Sequence, residues 1–214
     1  PDTGLVLREL ASKKDIKIAI ISGRSADDVK NLVGIEGLIY AGNHGLEIKG
    51  ASFSYEVPVP EWAREALYQL SVELSQELSA FKGVIIQYKV LTLSCHYRLC
   101  DPCQEDVIIG LIEKKVKDHV SKGILSVFKG KKVFEIRPCV EWNKGHAVNW
   151  LIGHFSFSGV PIYLGDDTTD SDAFKVLKER GISVWVGEPS ALVDADFYLN
   201  DPLEVLYFLR DINA

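Results

Sequence analysis

The chain has 214 residues, 47% hydrophobic, 25% charged and 10% aromatic, and its 24 basic and 30 acidic residues leave a net charge of −6. Such a chain can bury a full core, and its composition excludes collagen, coiled coil and disorder. No window reaches the roughly 18 apolar residues of a spanning helix, no charged segment followed by an apolar run marks a signal peptide, and the acidic balance argues against nucleic acid as the main partner.

Residues 2–13, with Leu5, Leu7 and Leu10 beside polar positions, predict a helix. Residues 16–21 are a short Ile-rich run ending at Ser22-Gly23-Arg24, suited to a strand buried on both faces. Ser25 is placed to N-cap a helix with Asp27 and Asp28 in its first turn. Residues 38–41 predict a second buried strand, ending at Gly42-Asn43-His44-Gly45. This rhythm begins an α/β sheet. The middle differs. Trp62, Ala66, Leu70, Leu74 and Leu78 form one stripe of an amphipathic helix over residues 61–81. Residues 83–99 read as strand or hairpin, 104–120 as a helix and 127–136 as a strand. An α+β domain near residues 50–136 is therefore inserted into an α/β core of residues 1–49 and 137–214. The tail resumes the first rhythm: helix 145–154, strand 161–164, helix 170–180 closed by Gly181 as its C′ residue, strand 182–186 and helix 202–210.

The lysines of residues 114–132 read as a solvated face. Cys100 and Cys103 form C-x-x-C, but no second pair completes a zinc site, and Cys95 sits in an apolar run that suits a buried thiol. Cysteines without a secretion signal point to a reducing cytoplasm. The chain begins with Pro1 and contains no Met.

The strongest chemical signal is Gly165-Asp166-Asp167-Thr168-Thr169-Asp170, three carboxylates at a strand's C-terminal end. Such hard oxygens suit Mg²⁺, and ligands of open α/β sheets bind at that end. Helix capping is the plainer alternative, outweighed by the strand, glycine and three acids together. Ser22-Gly23-Arg24 ends another strand where a hydroxyl and helix-terminal N–H groups suit a phosphate, although a simple strand–helix turn would look the same. Lys144 opens a helix against an unfavourable dipole. It either points into solvent, the commoner outcome, or has an anionic partner. Asn43, His44 and Glu47 supply the donors and acceptors that sugar hydroxyls need, and equally suit a β-turn.

In this order the motifs resemble the haloacid dehalogenase superfamily of phosphohydrolases, and within it the trehalose-6-phosphate phosphatases. Ser22-Gly23-Arg24 resembles the second motif, Glu135-Ile136-Arg137-Pro138 with Trp142-Asn143-Lys144-Gly145 the third, and the Asp166 loop the fourth. Gly42 to Glu47, with Lys89 and His96-Tyr97-Arg98, resembles the elements specific to the trehalose enzymes. The resemblance implies a Rossmann-like parallel-sheet core with an inserted α+β cap, and Mg²⁺-dependent hydrolysis of trehalose 6-phosphate through an aspartyl-phosphate. It implies catalytic roles for Ser22, Lys144 and Asp166, phosphate binding by Ser22, Gly23 and Lys144, and Mg²⁺ at Asp166, Asp167 and Asp170. Sugar contacts are implied for Arg24, Asn43, His44, Glu47, Gln87, Lys89, His96, Arg98, Glu135 and Glu141. The partner is then a small sugar phosphate rather than nucleic acid or membrane, with fusion to or association with a trehalose-6-phosphate synthase.

Several positions depart from that pattern. Gln87 replaces a Glu, Val90 a Gly, Asn143 an Asp and Ser171 a Glu. Strict alternation would put Lys89 and His96 on opposite faces, so they converge only if the chain turns between them. The first motif, Asp-x-Asp-x-Thr, does not occur in residues 1–214. The resemblance places Pro1 a little after that loop, leaving the nucleophile, one metal ligand and a central strand outside these residues. Two other readings follow: a non-catalytic binding or regulatory module, and a phosphatase for sucrose or glyceryl-glycoside phosphates.

Overall fold

The computed structural model describes residues 2–156, 158–188 and 193–213. In chain order the elements are α1 (Asp2–Ser12), β1 (Ala19–Ile21), α2 (Ala26–Val33), β2 (Ile39–Gly42), β3 (Glu47–Lys49), β4 (Ser54–Glu56), α3 (Glu61–Glu77), β5 (Ile85–Tyr88), β6 (Leu93–His96), α4 (Glu105–Ser121), β7 (Leu125–Gly130), β8 (Val133–Pro138), α5 (Lys144–Phe155), β9 (Ile162–Gly165), α6 (Ser171–Leu177), β10 (Ile182–Val186), β11 (Phe197–Leu199) and α7 (Pro202–Asn213). They fall into two units, residues 1–57 with 142–214, and residues 58–141.

In the first unit β2 is buried along its whole length. Leu38 and Tyr40 pack with Ala26 and Val29 of α2, while Ile39 and Ala41 pack with Ala147 and Leu151 of α5. Alternation thus gives one strand two apolar faces, each covered by a helix. β1 and β2 are parallel, β3 and β4 add antiparallel strands, and β9, β10 and β11 form a parallel sheet in the order β11-β10-β9. β1, the strand leading to Ser22, and β9 each lie at a sheet edge among the described residues. Ser25 caps α2, its Oγ accepting from Asp28 N at 3.2 Å. α6 stops at Leu177 rather than at residue 180, and the left-handed residue beyond it is Glu179 (φ 71°), not Gly181.

The division differs from the expected 50–136 because β4 pairs with β3, drawing residues 50–57 into the first unit, while residues 137–141 group with the second. Residues 125–138 are two strands of a hairpin, not one. Very short strands such as β4 and β11 carry too few residues to show a period.

The second unit is an antiparallel sheet, order β5-β6-β8-β7, with α3 and α4 on one face. Leu67, Leu70 and Leu74 of α3 and Ile108, Ile112 and Val116 of α4 meet Leu93, Cys95, Leu125, Phe134 and Ile136. Burial pushes the Cys95 thiol up to about 12, so it remains a packed, protonated thiol. Among the lysines of residues 114–132, Lys115, Lys129 and Lys132 pair with Glu77, Glu113 and Glu105.

β5 and β6 join through a tight turn in which Lys89 N donates to Thr92 O at 2.8 Å. Ile85 lies opposite His96 and Gln87 opposite Ser94. The chain turns between them and its parity changes, which is the condition for Lys89 and His96 to converge: Lys89 follows Ile85 and Gln87 onto the face that carries His96. The turn requires Val90 to take φ 66°, costly for a β-branched residue. Val90 is 55% exposed, so little packing opposes its removal. Val90→Gly is expected to stabilise the fold by about 1 kcal/mol, the size of the left-handed penalty, measured as a rise in the denaturation midpoint.

Candidate active site

Four loops of the first unit meet at the C-terminal ends of β1, β2 and β9 and the N-terminus of α5. The centre is Asp170, 3% exposed. Its Oδ1 accepts from Lys144 Nζ at 2.7 Å and from the Tyr163 hydroxyl at 2.6 Å. Its Oδ2 accepts the backbone N–H groups of Asp166 at 3.1 Å and Asp167 at 2.9 Å. Every carboxylate lone-pair site is thereby used. The two N–H bonds fold residues 166–170 into a capping box, with Asp167 accepting from Thr169 N. Gly165 makes this possible: a Cβ there would stand 2.5 Å from the Asp170 side chain.

Lys144 is 8% exposed, so the solvent-facing outcome favoured by its position in sequence is replaced by the anionic partner. Asn143 caps the same helix, its Oδ1 accepting from His146 N at 3.0 Å. A Lys at a helix N-terminus and inside the protein is opposed by the dipole and by desolvation, and Asp170 offsets both.

Asp166 and Asp167 are exposed, and no described side chain donates to the Asp166 carboxylate. Burial opposes the charge on Asp167, yet the Thr169 N–H, the Thr168 hydroxyl and the fields of Lys144 and His44 hold its carboxyl below the usual range. Burial, then the Asp170 charge, pushes the Tyr163 phenol far up, so it stays a donor.

The β2 loop closes on the same region. His44 takes φ 60°, its N–H donates to Ser22 O at 2.8 Å, and its ring lies against Gly23. Asn43 is fully buried, and its Nδ2 donates to Glu47 Oε1 at 2.7 Å, which also accepts Ala26 N at 3.0 Å. These two residues hold the loop against the start of α2. Gly42 permits the approach, since a Cβ would stand 2.1 Å from Ala26 N. Trp142 Nε1 donates to Gly45 O at 2.8 Å, tying the α5 entry to this loop. The structure therefore brings together Ser22, Gly23, His44, Lys144, Asp166, Asp167 and Asp170. Arg24 is exposed and contributes its N–H to Ser22 Oγ at 3.2 Å.

Within the second unit, the sheet face away from the helices carries Gln87, Ser94, His96 and Glu135. Lys89 is 6% exposed, and its Nζ lies 3.3 Å from both Glu135 oxygens. Ser94 Oγ also donates to Glu135. Arg98 is exposed beyond β6 and donates to Lys131 O at 3.2 Å, and Glu141 is exposed at the end of the unit. Sequence reasoning missed Tyr163 and Ser94. Tyr163 was detectable as a polar-tipped residue just before the acidic loop, and Ser94 as the residue two before His96 on one strand face.

Among the described residues no three His, Cys, Asp or Glu side chains form a ready-made metal cage. Mg²⁺ does not require one, because it keeps several waters and takes one or two carboxylates. The open Asp166 carboxylate fits that need, whereas Asp170 is saturated.

Residues 2–202 match the trehalose-phosphatase family. The chain belongs to that family. A trehalose-phosphate phosphatase of Mycobacterium tuberculosis is 35% identical over 210 residues, covering 94% of this chain and 52% of that protein. The C-terminal domain of C. albicans trehalose-6-phosphate phosphatase superposes with a TM-score of 0.80 at 25% identity, covering 99% of this chain and 83% of that one. A haloacid dehalogenase-like hydrolase from Bacteroides thetaiotaomicron shares the fold, with a TM-score of 0.73 at 15% identity, covering 99% and 91%. The chain spans just over half the length of the curated relatives it matches. In this member of the family, Asp170→Ala strands a buried Lys144 and is expected to cost about 3–5 kcal/mol in chemical denaturation. Lys144→Met with Asp170→Leu is expected to recover most of that loss.

Proposed function

We propose that the protein is a Mg²⁺-dependent phosphatase acting on trehalose 6-phosphate. The observation that carries this reading is the buried Lys144, fixed by Asp170 beside the open Asp166 carboxylate at the strand ends. A preorganised cation and a hard-oxygen donor there suit a phosphoryl group. Lys144 would hold the phosphoryl oxygens, and Ser22, whose Oγ accepts from Arg24 N, keeps its own proton to donate. Asp166 would hold Mg²⁺, with Asp167 beside it and Asp170 fixing the loop; the ion would neutralise phosphate charge.

The covalent step calls for a nucleophilic carboxylate, and Asp-x-Asp-x-Thr does not occur in residues 1–214. Ser22 has no described base at its hydroxyl, and Lys144 is paired to Asp170. The proposed aspartyl-phosphate therefore forms on a group outside these residues. A phosphate- and sugar-binding module without turnover is the second reading. Sugar selection is assigned to Lys89, His96, Arg98 and Glu135 of the second unit, with Gln87 in place of an acid weakening the grip on hydroxyls. The four free cysteines suit a reducing cytoplasm, and no helix among the described residues is long and apolar enough to cross a membrane. Association with a synthase belongs to the same reading.

The test is phosphate release by the full native protein. Asp166→Asn is expected to be nearly inactive and poorly rescued by excess Mg²⁺; wild-type turnover in that variant would end the metal assignment, and no turnover by the unmodified protein would favour the non-catalytic module. Arg98→Ala is expected to raise KM for trehalose 6-phosphate far more than for a small aryl phosphate, because binding energy from the remote sugar is lost. Equal losses on both substrates would give Arg98 a structural role.

A further inference from the structure

The second unit contains an open cavity of about 810 Å³ that the site above does not use. α3 lines it with Glu61, Arg64, Glu65 and Tyr68, and the β5–β6 hairpin with Tyr88 and Val90. The helix residues recur at i, i+3, i+4 and i+7, so they share one face. That face is separate from the Ala63, Leu67, Leu70 and Leu74 stripe that holds α3 to the sheet. Core packing therefore does not account for it.

The lining has a definite chemistry. Tyr68 and Tyr88 meet edge to face at 5.8 Å and stay 52% and 36% exposed. Arg64 Nε donates to Val59 O at 3.4 Å, which anchors the guanidinium at the cavity. Burial raises the Tyr88 phenol, with the Arg64 charge working against the shift, so the hydroxyl remains a donor. At the rim Val90 is held at φ 66°, the kind of strained position that clusters at ligand sites.

These features discriminate among ligands. Two carboxylates against one guanidinium disfavour an anion. Arg64 disfavours a cation that the tyrosines and glutamates alone would accept. Only valines supply aliphatic lining, too little for a flat apolar molecule. A neutral polyhydroxyl ligand uses every part: ring faces for its C–H surface, carboxylates as acceptors, and guanidinium and phenols as donors. We infer that this cavity is a binding site for a neutral, unphosphorylated saccharide, distinct from the phosphate site of the first unit. The inference rests on the proposed function only for the choice of probe.

Saturation-transfer NMR on the full chain with trehalose as the probe, and phosphorus NMR with inorganic phosphate, read the two sites separately. Trehalose is expected to bind saturably, to lose about tenfold in affinity in Tyr68→Ala and in Arg64→Gln, and to be undisplaced by inorganic phosphate. Circular dichroism checks that both variants fold, which exposed Tyr68 makes safe. No saturable binding, or wild-type binding in both variants, would overturn the inference. Displacement of trehalose by phosphate would also overturn it, placing the sugar at the phosphate site and leaving the proposed function standing. Failure of phosphate binding alone would sink the proposed function without touching the saccharide site.

Discussion

One carboxylate organises the first unit's chemistry. Asp170 is buried, and four donors satisfy its two carboxylate oxygens. The arrangement works in both directions. Lys144 and Tyr163 stabilise the charge, and the charge fixes the ammonium at a helix start where the dipole would repel it. The two backbone donors convert the same bonds into loop geometry, so that Asp166 turns outward, unpaired among the described residues. A saturated residue thus presents an unsaturated one.

The surrounding packing serves that geometry. Gly165 lets Asp170 fold back over its own strand, and Gly42 lets the β2 loop press on α2. Glu47 and Asn43 brace that loop from behind, leaving His44, in its left-handed conformation, against Gly23 and Ser22. The second unit repeats the logic on a sheet face, where Glu135 gathers Lys89 and Ser94. In both units a buried lysine is held by a carboxylate that other donors have already oriented.

Much of this was legible in the residues. The run at 38–41 is apolar at every position, which suits a strand covered on both faces, and β2 is one. The acids of residues 166–170 cluster at a strand end, where ligands bind. What was not legible depended on tertiary neighbours or on parity. Lys144 reads as solvent-facing until Asp170, 26 residues later, is seen beside it. The odd spacing of Lys89 and His96 leaves their faces undecided until a turn is placed between them, and the turn at Val90 resets the count. Tyr163 reads as one more strand residue, since nothing in a pattern shows where a hydroxyl points. The β3–β4 hairpin, with three residues in each strand, offers no period at all.

The proposed site stands or falls with Lys144, held by Asp170, meeting an oxyanion beside Ser22 and Asp166. A crystal of the protein soaked in tungstate with Mg²⁺ tests it most directly, because the heavy anion reports its own position. A tetrahedral oxyanion is expected within about 3 Å of both Lys144 Nζ and Ser22 Oγ, with Asp170 still paired to the lysine. An anion bound elsewhere, with Lys144 contacting Asp170 alone, would contradict it.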